Sequence, residues 1–131
     1  MTNSSAQTPD SATVAFDRLA KAKYFAFGGI GRAATISQGQ QDFAVILKRS
    51  TALQDFEKIF ASGNPQGKAY ALEGIRRLKP ERFQHLAETL RTSTQDVETV
   101  QGCEMQREPL GDVVRQIEAG KFAPTTQEKP E

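Results

Sequence analysis

The chain has 131 residues, with 17 Lys and Arg against 16 Asp and Glu for a net charge of +1, eight Phe, no Trp and one Cys. That length suits one domain around one core, and the balanced charge gives no strong steering toward nucleic acid or an anionic membrane. One cysteine excludes an internal disulfide, no apolar run nears the ~18–20 residues of a membrane span, and the polar first ten residues hold no signal-peptide core, so a cytoplasmic location is expected.

Residues 1–11, rich in Ser, Thr and Asn, predict a disordered tail, with a single domain over 12–122. Val14, Phe16, Leu19, Ala20 and Tyr24 predict a first helix over 12–23. The segment Phe25-Ala-Phe-Gly-Gly-Ile-Gly-Arg32 then sets three glycines in an apolar stretch. Gly28, Gly29, Gly31 and Arg32 form a candidate anion loop, in which amides and a guanidinium could meet a phosphate. The spacing meets neither GxGxxG nor a Gly-Lys-Ser/Thr ending. A tight reversal or a close helix approach is the simpler account.

Ser37 and Gln40 fit a capping box opening a helix to about residue 48, with Phe43, Ile46 and Leu47 inward. Thr51 and Gln54 fit another, before a stripe of Leu53, Phe56, Ile59 and Phe60. Gly63 is expected to close that helix in a left-handed cap, and Asn64-Pro65 to start the next, carrying Leu72, Ile75 and Leu78. Lys79-Pro80 breaks the chain before a helix over 80–91, with Phe83, Leu86, Ala87 and Leu90 on one face. Phe43 and Phe56 recur as Tyr70 and Phe83 at the same offset, and Ile59 as Leu86, a faint repeat of two helix–turn–helix units.

Val97, Val100 and Cys103 suit a turn of helix or a short strand over 97–105, with nothing obvious to pair with. Pro109 opens a last helix carrying Leu110, Val113, Val114 and Ile117, ended by Gly120. Phe122 is expected to tuck back onto the core, and residues 123–131 to form a free tail. The expected fold is all-α: five or six helices in stacked antiparallel hairpins, a short HEAT-like array.

Few residues suggest chemistry. His85, the lone histidine, sits at the edge of a buried stripe, and no spacing forces it onto Cys103 as a nucleophile pair. One His and one Cys fall short of a four-ligand zinc site, so no metal and no cofactor are expected. Glu81, Glu88, Asp55 and Glu57 fall on faces expected to be solvated. Segment 68–91 is locally basic through Lys68, Arg76, Arg77, Lys79, Arg82 and Arg91, a candidate nucleic-acid patch. Against it stand Glu81 and Glu88 on the same helix as Arg82, and a Leu-Lys-Pro-Glu junction without a turn glycine. The acidic neighbours of Phe56 and Phe60 favour core burial over membrane contact.

The combination of Phe27-Gly-Gly-Ile-Gly, Thr35-Ile-Ser-Gln-Gly, Gly67-Lys-Ala-Tyr-Ala-Leu-Glu-Gly-Ile75 and Gly102-Cys103 resembles a set of uncharacterised small bacterial helical proteins over about residues 25–120. Arg32-Ala33-Ala34 departs from that pattern. The resemblance implies a loosely HEAT-like fold and no site residues. The resulting expectation is a non-catalytic protein-binding module, an adaptor- or immunity-type partner of another bacterial protein. Nucleic-acid binding through segment 68–91, and a small enzyme using the Gly28–Arg32 loop, are the alternatives.

Overall fold

Asn64 and Pro65 start the helix on which the fold is assembled. The Asn64 side-chain oxygen accepts from the Gly67 amide at 2.7 Å, and Pro65 takes the first turn, where no amide is needed. In this computed structural model, which describes residues 11–30 and 35–122, that helix is the fourth. The order is α1 (Ser11–Ala20), β1 (Gly29–Ile30), β2 (Thr35–Ile36), α2 (Gln38–Leu47), α3 (Ala52–Ser62), α4 (Pro65–Leu78), α5 (Pro80–Glu88), β3 (Asp96–Gln101), β4 (Glu104–Pro109) and α6 (Leu110–Glu118). Of the tail expected over 1–11 only Ser11 is described, as the first residue of α1, and the tail expected over 123–131 lies outside the described residues.

Helix α4 touches all five other helices and β3. In a helical stack each repeat contacts only its neighbours in order. Here the small residues Gly67, Ala69, Ala71 and Gly74 let partners close in on several sides of α4, and all four are buried. A Cβ at Gly74 would meet the Phe56 ring of α3 inside any real contact distance. Around α4 the core gathers Leu19, Phe25, Phe43, Phe56, Ile59, Phe83, Val113 and Ile117. Phe122 does fold back, with its ring centroid 4.8 Å from that of Phe25.

The all-α expectation needs correction. The fold is mostly helical, but β3 and β4 pair antiparallel from Asp96↔Pro109 to Gln101↔Glu104. The single strand expected over 97–105 is instead broken by a turn at Gly102-Cys103, and its partner begins at Glu104, within the expected range. Gly102, at φ +58°, takes the first position of a two-residue Gly-Cys turn, where a side chain would be strained. On its other side β3 receives the apolar segment before the glycines. The Phe25 amide donates to the Glu98 carbonyl at 2.7 Å, and the Val100 amide to the Phe25 carbonyl at 3.2 Å.

Two expected caps also change. Thr51 makes no cap bond, and its hydroxyl donates instead to the Asp55 carboxylate at 2.9 Å. Gly63 is extended (φ −79°, ψ 168°), not left-handed; a Cβ there would lie 2.7 Å from the Ile59 carbonyl oxygen. At α2 only half of the expected box forms. Ser37 Oγ accepts from the Gln40 amide at 3.0 Å, while the Gln40 side chain turns elsewhere.

Candidate functional site

Gln40 turns toward the glycines. Its Oε1 accepts from the Gly28 amide at 2.8 Å, holding that residue at φ +89°, a conformation open to glycine at little cost. Gly28 and Gly29 thereby form one lip of a cleft of about 670 Å³, bounded by α2, the end of α4, the β3–β4 turn and residues 121–122. That volume lies within the roughly 300–1,000 Å³ of small-molecule sites. Gly31 and Arg32, the other half of the candidate anion loop, lie outside the described residues.

The walls are aromatic and the charges cationic. Phe27, Phe43 and Phe122 line the cleft with Arg77 and Lys121, and none of the described lining residues is acidic. The Arg77 guanidinium carbon lies 5.4 Å from the Phe27 ring centroid and 4.9 Å from that of Phe43, within cation–π range. Arg77 Nη2 donates to the Phe122 carbonyl at 2.9 Å, and Arg77 Nε to Glu73 at 2.6 Å. Lys121 Nζ donates to the neutral Gln116 amide oxygen at 3.1 Å and forms no salt bridge among the described residues.

Glu73 organises this charge. Its side chain is 0 % exposed, yet it accepts from two arginines, taking Arg76 Nη2 at 3.0 Å as well as Arg77 Nε. Two guanidiniums therefore share one carboxylate and leave one positive charge over, on side chains only about one-fifth exposed. The helical spacing of three and four brings the partners together. Read along the sequence, Arg76 and Arg77 look like free surface cations. Their burial with Glu73 is a tertiary effect.

The rest of the candidate basic patch is also engaged. Lys68 Nζ donates to the Phe60 carbonyl at 2.7 Å, and Arg82 Nε to Glu57 at 2.9 Å. Lys79 is exposed at the break between α4 and α5. The five residues thus do not form one free cationic face. His85 is exposed on α5 and Cys103 is exposed in the β3–β4 turn, on separate elements. Among the described residues no group of three or more His, Cys, Asp or Glu is placed to hold a metal. Asp55, expected at the surface, is buried and accepts from Arg49 at 2.9 Å. A second cleft, of about 490 Å³, is bordered by Arg18 and Asp42, whose charges satisfy each other through bonds of 3.1 and 2.9 Å.

The hairpin offers a different surface. No residue of β4 is buried, and Met105 is 64 % exposed. Gln101↔Glu104 closes the two-residue turn and so exchanges main-chain bonds. By alternation Thr99↔Gln106 and Val97↔Glu108 do the same. Glu98 and Val100 then point their main-chain groups away from β4, and these are the groups bonded to Phe25. By the same alternation Met105 and Arg107 direct their N–H and C=O groups outward from the sheet. No described backbone group bonds to them there.

No family model, curated protein or solved structure matches the chain.

Proposed function

We propose that the chain is a non-catalytic binding module that pairs an extended segment of another protein with the free edge of β4. The observation that carries this reading is the outward row of main-chain groups at Met105 and Arg107, without a backbone partner among the described residues, beside an exposed Met105 side chain. Such an edge is a template for an added strand, with main-chain bonds giving affinity and flanking side chains giving choice. Glu104 and Arg107 restrict the choice by charge, and Pro109, without an amide, ends the template. An adaptor- or immunity-type role for a bacterial partner fits a short, charged edge of this kind. The finer reading of the helices as a HEAT-like array is supported by the tight connections from α3 to α4 (Gly63-Asn64) and from α4 to α5 (Lys79), and weakened by the enclosure of α4.

The test compares the wild-type chain with Met105→Pro as bait, at moderate salt and after nuclease. The substitution removes an outward amide and leaves the bonds between β3 and β4 in place. A stoichiometric protein held by wild type and lost by Met105→Pro, with Thr99 and Gln101 amides still protected from exchange, is the expected result. A capture lost to nuclease would move the role to nucleic acid, and a partner held equally by Met105→Pro would remove β4 from it.

A further inference from the structure

We infer that the cleft between Gly28, Arg77 and Phe122 is a binding site for a small monocarboxylate with an aromatic or branched apolar body. The site is independent of β4 and rests on different observations. The first is charge. Glu73 is shared between Arg76 and Arg77, of which Arg77 lines the cleft, and Lys121 has no acidic partner among the described residues, so the cleft carries positive charge that no described carboxylate balances. Holding an unbalanced charge at a half-buried position is costly, and an anion entering from solvent relieves that cost. Arg77 has donors to offer, because Nε and Nη2 are occupied and Nη1 makes no hydrogen bond among the described residues.

The second observation is the wall. Phe27, Phe43 and Phe122 line the cleft with Leu47 and Val100, a surface suited to a ring or a branched chain and not to a bare inorganic anion. The third is rigidity. Arg77 is held by Glu73, by the Phe122 carbonyl and by two rings, so its guanidinium is already oriented and binding costs little further ordering. Gly28 adds to the lip a backbone with no side chain; a Cβ there would meet no described atom within 4 Å.

The probe is 3-phenylpropanoate, titrated into the full chain while the amides of Gly28, Gly29 and Gly102 are followed by NMR. Its neutral amide, 3-phenylpropanamide, and inorganic phosphate are run beside it. The expected result is saturable shifts at those glycines with the carboxylate, and binding at least about tenfold weaker for the amide and for phosphate. Lys121→Gln, a change at an exposed side chain, weakens the carboxylate about threefold, and Arg77→Gln about tenfold or more. If Arg77→Gln fails to fold, Lys121→Gln decides alone. No saturation at the cleft glycines, equal binding of the amide or of phosphate, or no loss in Lys121→Gln would each overturn the site.

Discussion

Helix α4 and strand β4 solve opposite problems. Helix α4 buries nine of its 14 residues, among them a carboxylate with no exposure, whereas β4 buries none of its six. The helix is held by what surrounds it on every side, so almost any change there must be felt by a neighbour. The strand is held by its ladder to β3 and a glycine turn, so the Met105 side chain and the outward main-chain groups are left exposed to recognise something else. Stability is concentrated in one and recognition in the other.

That contrast is easiest to break at Glu73. Replacing it by Leu leaves two guanidiniums facing each other without their carboxylate, and the expected loss is about 3 kcal/mol, near the lower end for a broken buried pair because both arginines keep some solvent. Urea unfolding measures it. A loss below about 1 kcal/mol would mean the pair behaves like a surface one. Next comes Gly74→Ala, whose methyl collides with the Phe56 ring. Overpacking of this kind costs about 2 kcal/mol, read from the same unfolding curves.

Tyr70 gives a third test and a pH signature. Its hydroxyl donates to the Ala26 carbonyl at 3.0 Å, accepts from the Ala26 amide at 3.0 Å, and lies 3.4 Å from Ser37 Oγ. Tyr70→Phe strands the Ala26 amide, leaves the Ala26 carbonyl with only the longer 3.4 Å bond from Ser37 Oγ, and costs about 1–2 kcal/mol. Burial raises the phenol's pKa above its ordinary 10.0. Below pH 10 both folded and unfolded chains keep the proton, and the contribution is complete. Above it the unfolded chain releases the proton first, so stability falls as pH rises toward the folded value. Wild type should therefore lose stability above pH 10 more steeply than Tyr70→Phe, measured by urea unfolding at a series of alkaline pH values.

How legible this was in the sequence depends on range. Asn64, Pro65, Ser37 and Gly120 act within a few residues, and their spacing announces the helix ends they make. The stripe of Phe56 and Ile59 likewise marks the buried face of α3. Strand β4 carries no such sign: Glu-Met-Gln-Arg-Glu-Pro has no alternating apolar face, and only its pairing with β3 makes it a strand. Nor could Glu73 be read as buried, since a carboxylate three and four residues before two arginines is also the pattern of an exposed helix surface. Asp55 is masked differently: its partner Arg49 lies six residues earlier, before α3 begins, where no helical spacing points to it. The cleft depends on Phe27, Arg77 and Lys121 meeting from distant parts of the chain; the sequence marks its glycines as a candidate loop and Arg77 as part of a basic patch, but nothing in it joins the two.

The smallest expected effect lies on β4 and sharpens the contrast from the other side. Arg107 Nε donates to Glu98 at 2.8 Å across the ladder, but the two side chains are 65 % and 32 % exposed. Water and salt screen such a pair, so a double-mutant cycle of Arg107→Ala with Glu98→Ala should give a coupling of no more than about 0.5 kcal/mol, shrinking further at high salt. The same change alters the charge that a partner strand meets at this edge. Arg107→Ala should therefore change partner capture more than it changes unfolding. A coupling above about 1 kcal/mol would show that β4 is fastened to the fold as firmly as α4, and the division between a stabilising helix and a recognising strand would not hold.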